Sequence, residues 1–260
     1  MKKILISTIA SLALVPAAFA AESAHHQEIH DHNWSFEGPF GSYDQLQLQR
    51  GLQVFTEVCS ACHGVKFVGF YALDDEGGPA LPEAQAREYA KSYEVWNEKT
   101  KEFQTATYSD RFPENTGAGA PDLSLMAKAR AGFHGPYGLG INQVVKGMGG
   151  PEYIYSLLTG YTGEDTPDGL HVNTAFATGA LSMAAPLSDG VVTYEDGSPE
   201  TLEQYAADVS AFLMWAAEPK LNDRKRGGMI AVIILGFLTV LLFLANKALW
   251  YPIKHPRKED

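Results

Sequence analysis

The chain has 260 residues, 45% hydrophobic and 20% charged, a composition that builds a folded core. Its 20 Lys and Arg against 31 Asp and Glu give a net charge of -11, which argues against nucleic acid, whose phosphates need a basic face. Two cysteines, Cys59 and Cys62, are too few for a structural disulfide framework or a four-cysteine zinc site.

Residues 1–20 combine Lys2 and Lys3, an apolar run from Ile4 to Val15 and the ending Ala18-Phe19-Ala20. That pattern predicts a cleaved secretory signal, with the mature chain starting near Ala21 outside the cytoplasmic membrane of a bacterium. Residues 21–42 are polar and read as an extended lead-in; they hold His25, His26, His30 and His32, whose spacing matches no defined metal site and reads as a solvated N-terminus. Asp44 is placed to cap a helix running to Cys59 or beyond, with Leu48, Gly51, Leu52, Phe55 and Val58 on one face. Residues 64–120 read as irregular, with part of Glu83 to Trp96 helical. Short helices are predicted over Asp122–Arg130 and Pro151–Leu158, separated by a glycine-dense loop from Gly132 to Gly150. Residues 160–200 are turn-rich, with weak strand signals. Thr201 to Ala217 carries an amphipathic helical pattern that Pro219 ends. Met229 to Leu249 is apolar on every side, with Lys247 near its end and Trp250 and Tyr251 beyond it. At about 1.5 Å per residue it crosses a hydrocarbon core of about 30 Å. Basic residues flank both ends, so the signal sets the orientation: the body periplasmic, the tail cytoplasmic. The expected fold is mainly α: a body with long loops (21–226), one C-terminal transmembrane helix (227–250) and a short tail (251–260).

Cys59-Ser60-Ala61-Cys62-His63 is the C-x-x-C-H pattern of covalent haem c attachment, so the body is expected to be a cytochrome c-like haem domain. Two sulfurs one helical turn apart can each bond a former vinyl group, and the next residue, His63, then lies beneath the iron as its ligand. A thiol–disulfide C-x-x-C needs a βαβ context that is missing here, and zinc needs further ligands. A sixth ligand would be methionine or histidine. Met126, Met148, Met183, Met214, Met229, His134 and His171 are available. Of these, Met183 stands in a loop far along the chain, the kind of segment that folds back over such a pocket. The acidic clusters Asp74-Asp75-Glu76 and Glu164-Asp165 suit a solvated face or a basic redox partner. No serine–histidine–aspartate set, phosphate loop or paired-carboxylate site stands out.

The chain resembles the cytochrome c1 family, the haem c subunit of the cytochrome bc1 complex, over nearly its whole mature length. The likeness rests on residues 51–63 (GLQVFTEVCSACH), 121–124 (PDLS), 127–130 (AKAR), 152–161 (EYIYSLLTGY), 183–187 (MAAPL), 194–197 (YEDG) and 208–219 (DVSAFLMWAAEP). It implies Met183 as the sixth ligand, Arg130 and Tyr153 on the haem propionates and Pro121 packed on the haem. It also implies one-electron transfer from a Rieske iron–sulfur protein to a soluble or membrane-bound cytochrome c, with cytochrome b and membrane lipid around the closing helix, in a dimeric complex. The alternative from the motif alone is a membrane-anchored c-type cytochrome of another oxidase or shuttle. Departures from the family pattern are the single Pro186 after the methionine, where several prolines are common, and the lack of cysteines for a later-loop disulfide found in some bacterial members. The stretch around Gly132–Gly150 resembles an insertion of bacterial members.

Overall fold

A computed structural model describes residues 28–115, 117, 119–130 and 149–255. The predicted signal, His25, His26, His134, Met148 and most of the glycine-dense loop lie outside the described residues.

The domain is built on a crossing of two helices. Helix α1, Gln45–Glu57, is capped as expected: the Asp44 carboxylate accepts from the Gln47 backbone N–H. Its core face is the predicted stripe, with Leu48, Gly51, Leu52 and Phe55 buried, although Val54 joins them and Val58 is only half-buried. Short helices follow: α2, Glu83–Ala90; α3, Met126–Ala129; and α4, Gly150–Thr159. Helix α5, Leu202–Ala217, starts on a Thr201 side-chain cap and packs against α1, α3 and α4. At the crossing, a Cβ on Gly51 would lie 2.1 Å from the Asp208 carbonyl oxygen and 2.7 Å from Phe212 Cβ, so only glycine lets the two backbones approach this closely.

Helix α5 differs from the amphipathic expectation. Every residue from Tyr205 to Ala216 is buried, including Asp208 and Ser210. A helix enclosed on all sides accepts charge only where a partner meets it. Asp208 takes Arg50 Nε at 2.9 Å, Tyr194 Oη at 2.9 Å and Gln204 Nε2 at 3.0 Å. Around the crossing, Phe55 meets Phe212 at 5.5 Å between ring centroids, and Phe70 meets Phe112 at 4.4 Å.

Two small sheets depart from the loop-rich reading. Glu94–Asn97 (β1) pairs antiparallel with Glu102–Thr105 (β2), within a stretch read as irregular or helical. Tyr161–Asp165 (β3), His171–Asn173 (β4) and Ala180–Leu181 (β5) form an antiparallel sheet in the turn-rich region. The helix expected over Asp122–Arg130 shrinks to α3, because Asp122 and Ser124 spend their side chains on the neighbouring loop. The N-terminal lead-in is also packed: Trp34, Phe36 and Tyr43 are buried, and the His32 ring lies 4.3 Å from Trp34. His30 donates its backbone N–H to Ser156 Oγ, so the described part of the histidine cluster is fastened to the domain.

Helix α6, Leu221–Lys254, is continuous for 34 residues, and Leu221 is its one buried residue. It is long and apolar enough to cross a membrane. The architecture is therefore mainly α, with long loops and one apolar C-terminal helix.

Candidate functional site

The C-x-x-C-H segment leaves α1 as a single tight turn. Cys59–Ala61 is a 3-10 helix, and the Cys62 and His63 N–H groups both donate to the Cys59 carbonyl, at 3.1 and 2.9 Å. This places Cys59 and Cys62 one turn apart, with His63 immediately after. The turn is braced from outside by Asn115, whose Nδ2 donates to the carbonyls of Ser60 at 3.0 Å and Ala61 at 3.1 Å.

His63 Nδ1 lies 2.7 Å from the Pro121 carbonyl oxygen. A carbonyl can only accept, so Nδ1 carries the proton. In the neutral ring Nε2 is then the unprotonated nitrogen, ready to ligate a metal. The Pro121-Asp-Leu-Ser124 stretch is itself held in place. Leu123 N–H donates to the Gly64 carbonyl at 2.8 Å, Lys66 N–H to Asp122 Oδ2 at 3.0 Å and Phe67 N–H to Ser124 Oγ at 3.0 Å.

A second group forms around α4 and the β3–β5 sheet. The Arg130 guanidinium carbon stands 5.6 Å from the centre of the Tyr153 ring. The approach of α3 to α4 makes this possible. A Cβ on Gly150 would fall 1.5 Å from the Ala127 carbonyl oxygen, so no larger residue fits there. Tyr161 opens β3 and donates its hydroxyl to the Met183 carbonyl at 2.9 Å. Burial, with Tyr153 nearby, pushes the Tyr161 hydroxyl up to about 12, which keeps it a neutral donor. Strand β5 pairs with β4, His171 opposite Leu181, and the chain leaves the sheet directly into Met183. The sheet is pinned to α4 by buried Asn173, whose Nδ2 donates to the Leu157 carbonyl at 2.8 Å.

The structure thus joins His63 to Pro121, Arg130 to Tyr153 and Tyr161 to Met183. Among the described residues, no hydrogen bond or ring contact joins the His63 group to the Met183 group. Of the other methionines, Met214 is buried inside α5, Met126 is half-buried in α3 and Met229 lies on exposed α6. His171 Nδ1 is held by Asp165 at 2.7 Å. Tyr161, Asn115 and the Pro121 carbonyl escaped the sequence reading, since each acts through a long-range contact with backbone.

The donor set fits haem c and suits its competitors poorly. The two cysteines are unbridged, and burial pushes the Cys59 thiol up to about 12. A raised thiol at Cys59 is a poor thiolate. No group of three His, Cys, Asp or Glu side chains able to hold a metal ion occurs among the described residues.

Comparison with known proteins agrees. Residues 34–253 match the model of the cytochrome C1 family. The chain is 48% identical to cytochrome c1 of Cereibacter sphaeroides, across 100% of this chain and 99% of that protein. It is 48% identical to cytochrome c1 of Rhodobacter capsulatus, over 98% of this chain and 99% of that one. It is 35% identical to the mitochondrial cytochrome b-c1 complex catalytic subunit of Candida albicans, over 92% of this chain and 82% of its relative. With a family match from Trp34 into the last turn of α6 and relatives aligned end to end, the chain belongs to the cytochrome c1 family.

Proposed function

We propose that this chain is the haem c subunit of a cytochrome bc1 complex. It would relay single electrons from a Rieske iron–sulfur protein to a soluble or membrane-bound cytochrome c. The observation that carries the reading is the His63 imidazole, held by the Pro121 carbonyl one position beyond two cysteines a turn apart.

Haem c, when bound, supplies one-electron iron chemistry. The chain's residues do the rest. Cys59 and Cys62 supply the thioether sulfurs. The Pro121 carbonyl fixes the tautomer and ring orientation of His63 and raises its basicity as a ligand. Met183 would offer its thioether sulfur to the iron, its backbone carbonyl held by Tyr161. Arg130 and Tyr153 would hold the propionates, where a guanidinium pairs well with a carboxylate. Side chains fastened in this way would move little between charge states, which would keep reorganisation small. Quinol chemistry belongs to the cytochrome b partner.

Residues 1–20 form the cleaved signal, 21–226 the periplasmic haem domain, 227–250 the membrane span and 251–260 the cytoplasmic tail. The span would pack on cytochrome b and lipid within a dimeric complex. The name of the Candida relative supports assembly into a b-c1 complex.

A dithionite-reduced minus oxidised spectrum of the chain, purified from native membranes in mild detergent, tests the reading. The expected result is a c-type band accompanied by b-type bands, at about one c to two b. A c-type band alone, from membranes shown to keep their complexes intact, would point to a lone cytochrome. No haem band would remove the proposal.

A further inference from the structure

A cavity of 580 Å³ lies where the soluble domain meets the start of α6. That volume is in the range of small-molecule sites. Its lining includes Trp34, Phe36, Glu152, Lys225, Met229 and Val232. Met229 opens the apolar stretch of α6, so the cavity opens at the depth of the lipid headgroups.

Two polar side chains facing it are deeply buried and unsatisfied. Glu152 is 1% exposed and Trp34 5%, and neither Glu152 Oε2 nor Trp34 Nε1 has a hydrogen-bond partner among the described residues. The indole N–H comes near enough to oppose the rise of the carboxyl without completing a bond of normal geometry. Burial, with Glu37 and Asp31 nearby, raises Glu152 to about 7, the mark of a carboxyl without a cationic partner. Lys225, which also lines the cavity, donates from Nζ to the carbonyl oxygens of Phe36 at 2.5 Å and Gly41 at 3.1 Å. Glu218 is already held between Lys128 Nζ, at 2.8 Å, and Arg224 Nε.

A buried carboxyl, a buried indole N–H, an ammonium and the apolar start of α6 line one cavity and match one ligand chemistry. We propose that the cavity binds the headgroup of a zwitterionic phospholipid of the ethanolamine type. Its primary ammonium donates to Glu152, its phosphate accepts from Lys225 and Trp34 Nε1, and its acyl chains run down α6 past Met229 and Val232. A choline headgroup has no N–H for Glu152. An anionic glycerol headgroup would set its phosphate beside a carboxyl with no cation to offer it. The proposal rests on α6 spanning the membrane and is independent of electron transfer.

The test is native mass spectrometry of the full haem-loaded chain, released from nanodiscs holding equal parts phosphatidylethanolamine, phosphatidylcholine and phosphatidylglycerol. One phosphatidylethanolamine retained per chain is expected. Glu152→Gln and Lys225→Met should each weaken retention about tenfold, the loss of one charge-assisted hydrogen bond. The c-type spectrum should stay unchanged, which separates this result from any failure of the haem assignment. If one variant loses that band through misfolding, the other decides. Equal retention in both variants would mean annular lipid and overturn the site, as would preference for phosphatidylglycerol. Absence of bound lipid, with Lys225 crosslinking to a cytochrome b segment in the intact complex, would give the cavity to protein instead.

Discussion

His63 shows how a side chain is oriented by a backbone atom 58 positions away. C-x-x-C-H announces the histidine; nothing in the sequence announces the Pro121 carbonyl, because every residue carries one. Met183 is similar: its residue type and loop position are legible, while the Tyr161 hydroxyl that steadies it depends on strand pairing. Met183→Leu should leave covalent haem in place and lower the midpoint potential by on the order of 0.1 V, within the range of about 0.8 V that axial ligands set. Redox titration checks this; an unchanged potential would dismiss Met183 as ligand. Glu152 makes a different prediction. Its carboxyl titrates near 7 in the folded chain against 4.5 for an ordinary glutamate. Between those values the folded chain holds the extra proton, so Glu152 lowers stability as pH rises through that window, and its effect is flat above it. His32, lowered by burial, acts in the opposite sense. Denaturant unfolding at pH 5 and pH 7.5 should therefore be compared between the natural chain and Glu152→Gln. The variant should gain stability relative to the natural chain at the higher pH.

Among the elements, the α1–α5 crossing carries the domain. Its α1 half was written in a clear apolar stripe, and the structure keeps it. Helix α5 also presented a stripe, yet α1, α3 and α4 enclose it, an arrangement that periodicity on one helix cannot express. The clue was Asp208, a lone acid within an otherwise apolar run, whose partner Arg50 sits 158 positions earlier. Asp208 is wholly buried and Arg50 nearly so, at 0% and 17% side-chain exposure. Removing one member of such a pair costs about 3–5 kcal/mol. Asp208→Ala should lower the Tm by on the order of 10 °C, and Asp208→Asn, which keeps an acceptor for Tyr194, by less. Calorimetry of the two variants tells a buried pair from surface charge, whose loss would hardly register. The five strands were illegible for plain reasons. They are two to five residues long; β2 and β3 are largely exposed and polar, and β1, β4 and β5 are too short for an alternation to be read.

For the whole molecule, α6 is the most legible part and contributes least to the fold. Past Leu221 no residue of it is buried. A chain ending after Arg226 should be water-soluble without detergent and keep the spectrum and midpoint potential of the full protein. A truncated chain that stays in the membrane fraction would show a second attachment. The base of α6 is bound to the domain on several sides. Asn222 Oδ1 accepts from the Tyr43 N–H at 3.2 Å, Lys220 Nζ meets Asp75 at 2.9 Å and Lys225 reaches the Phe36 carbonyl. Tyr43 in turn donates its hydroxyl to the carbonyls of Met214 and Glu218, at 3.1 Å each, on the last turn of α5. The helix is about 50 Å long, against about 30 Å of hydrocarbon. Set in a bilayer through its apolar stretch, the helix would hold its first turns clear of the lipid as a stiff mast, with the domain bolted to its top. A carrier mounted in this way would hold a set height and heading above the membrane. In the proposed relay it would not lean toward donor and then acceptor, so the travel would fall to the proteins on either side of it.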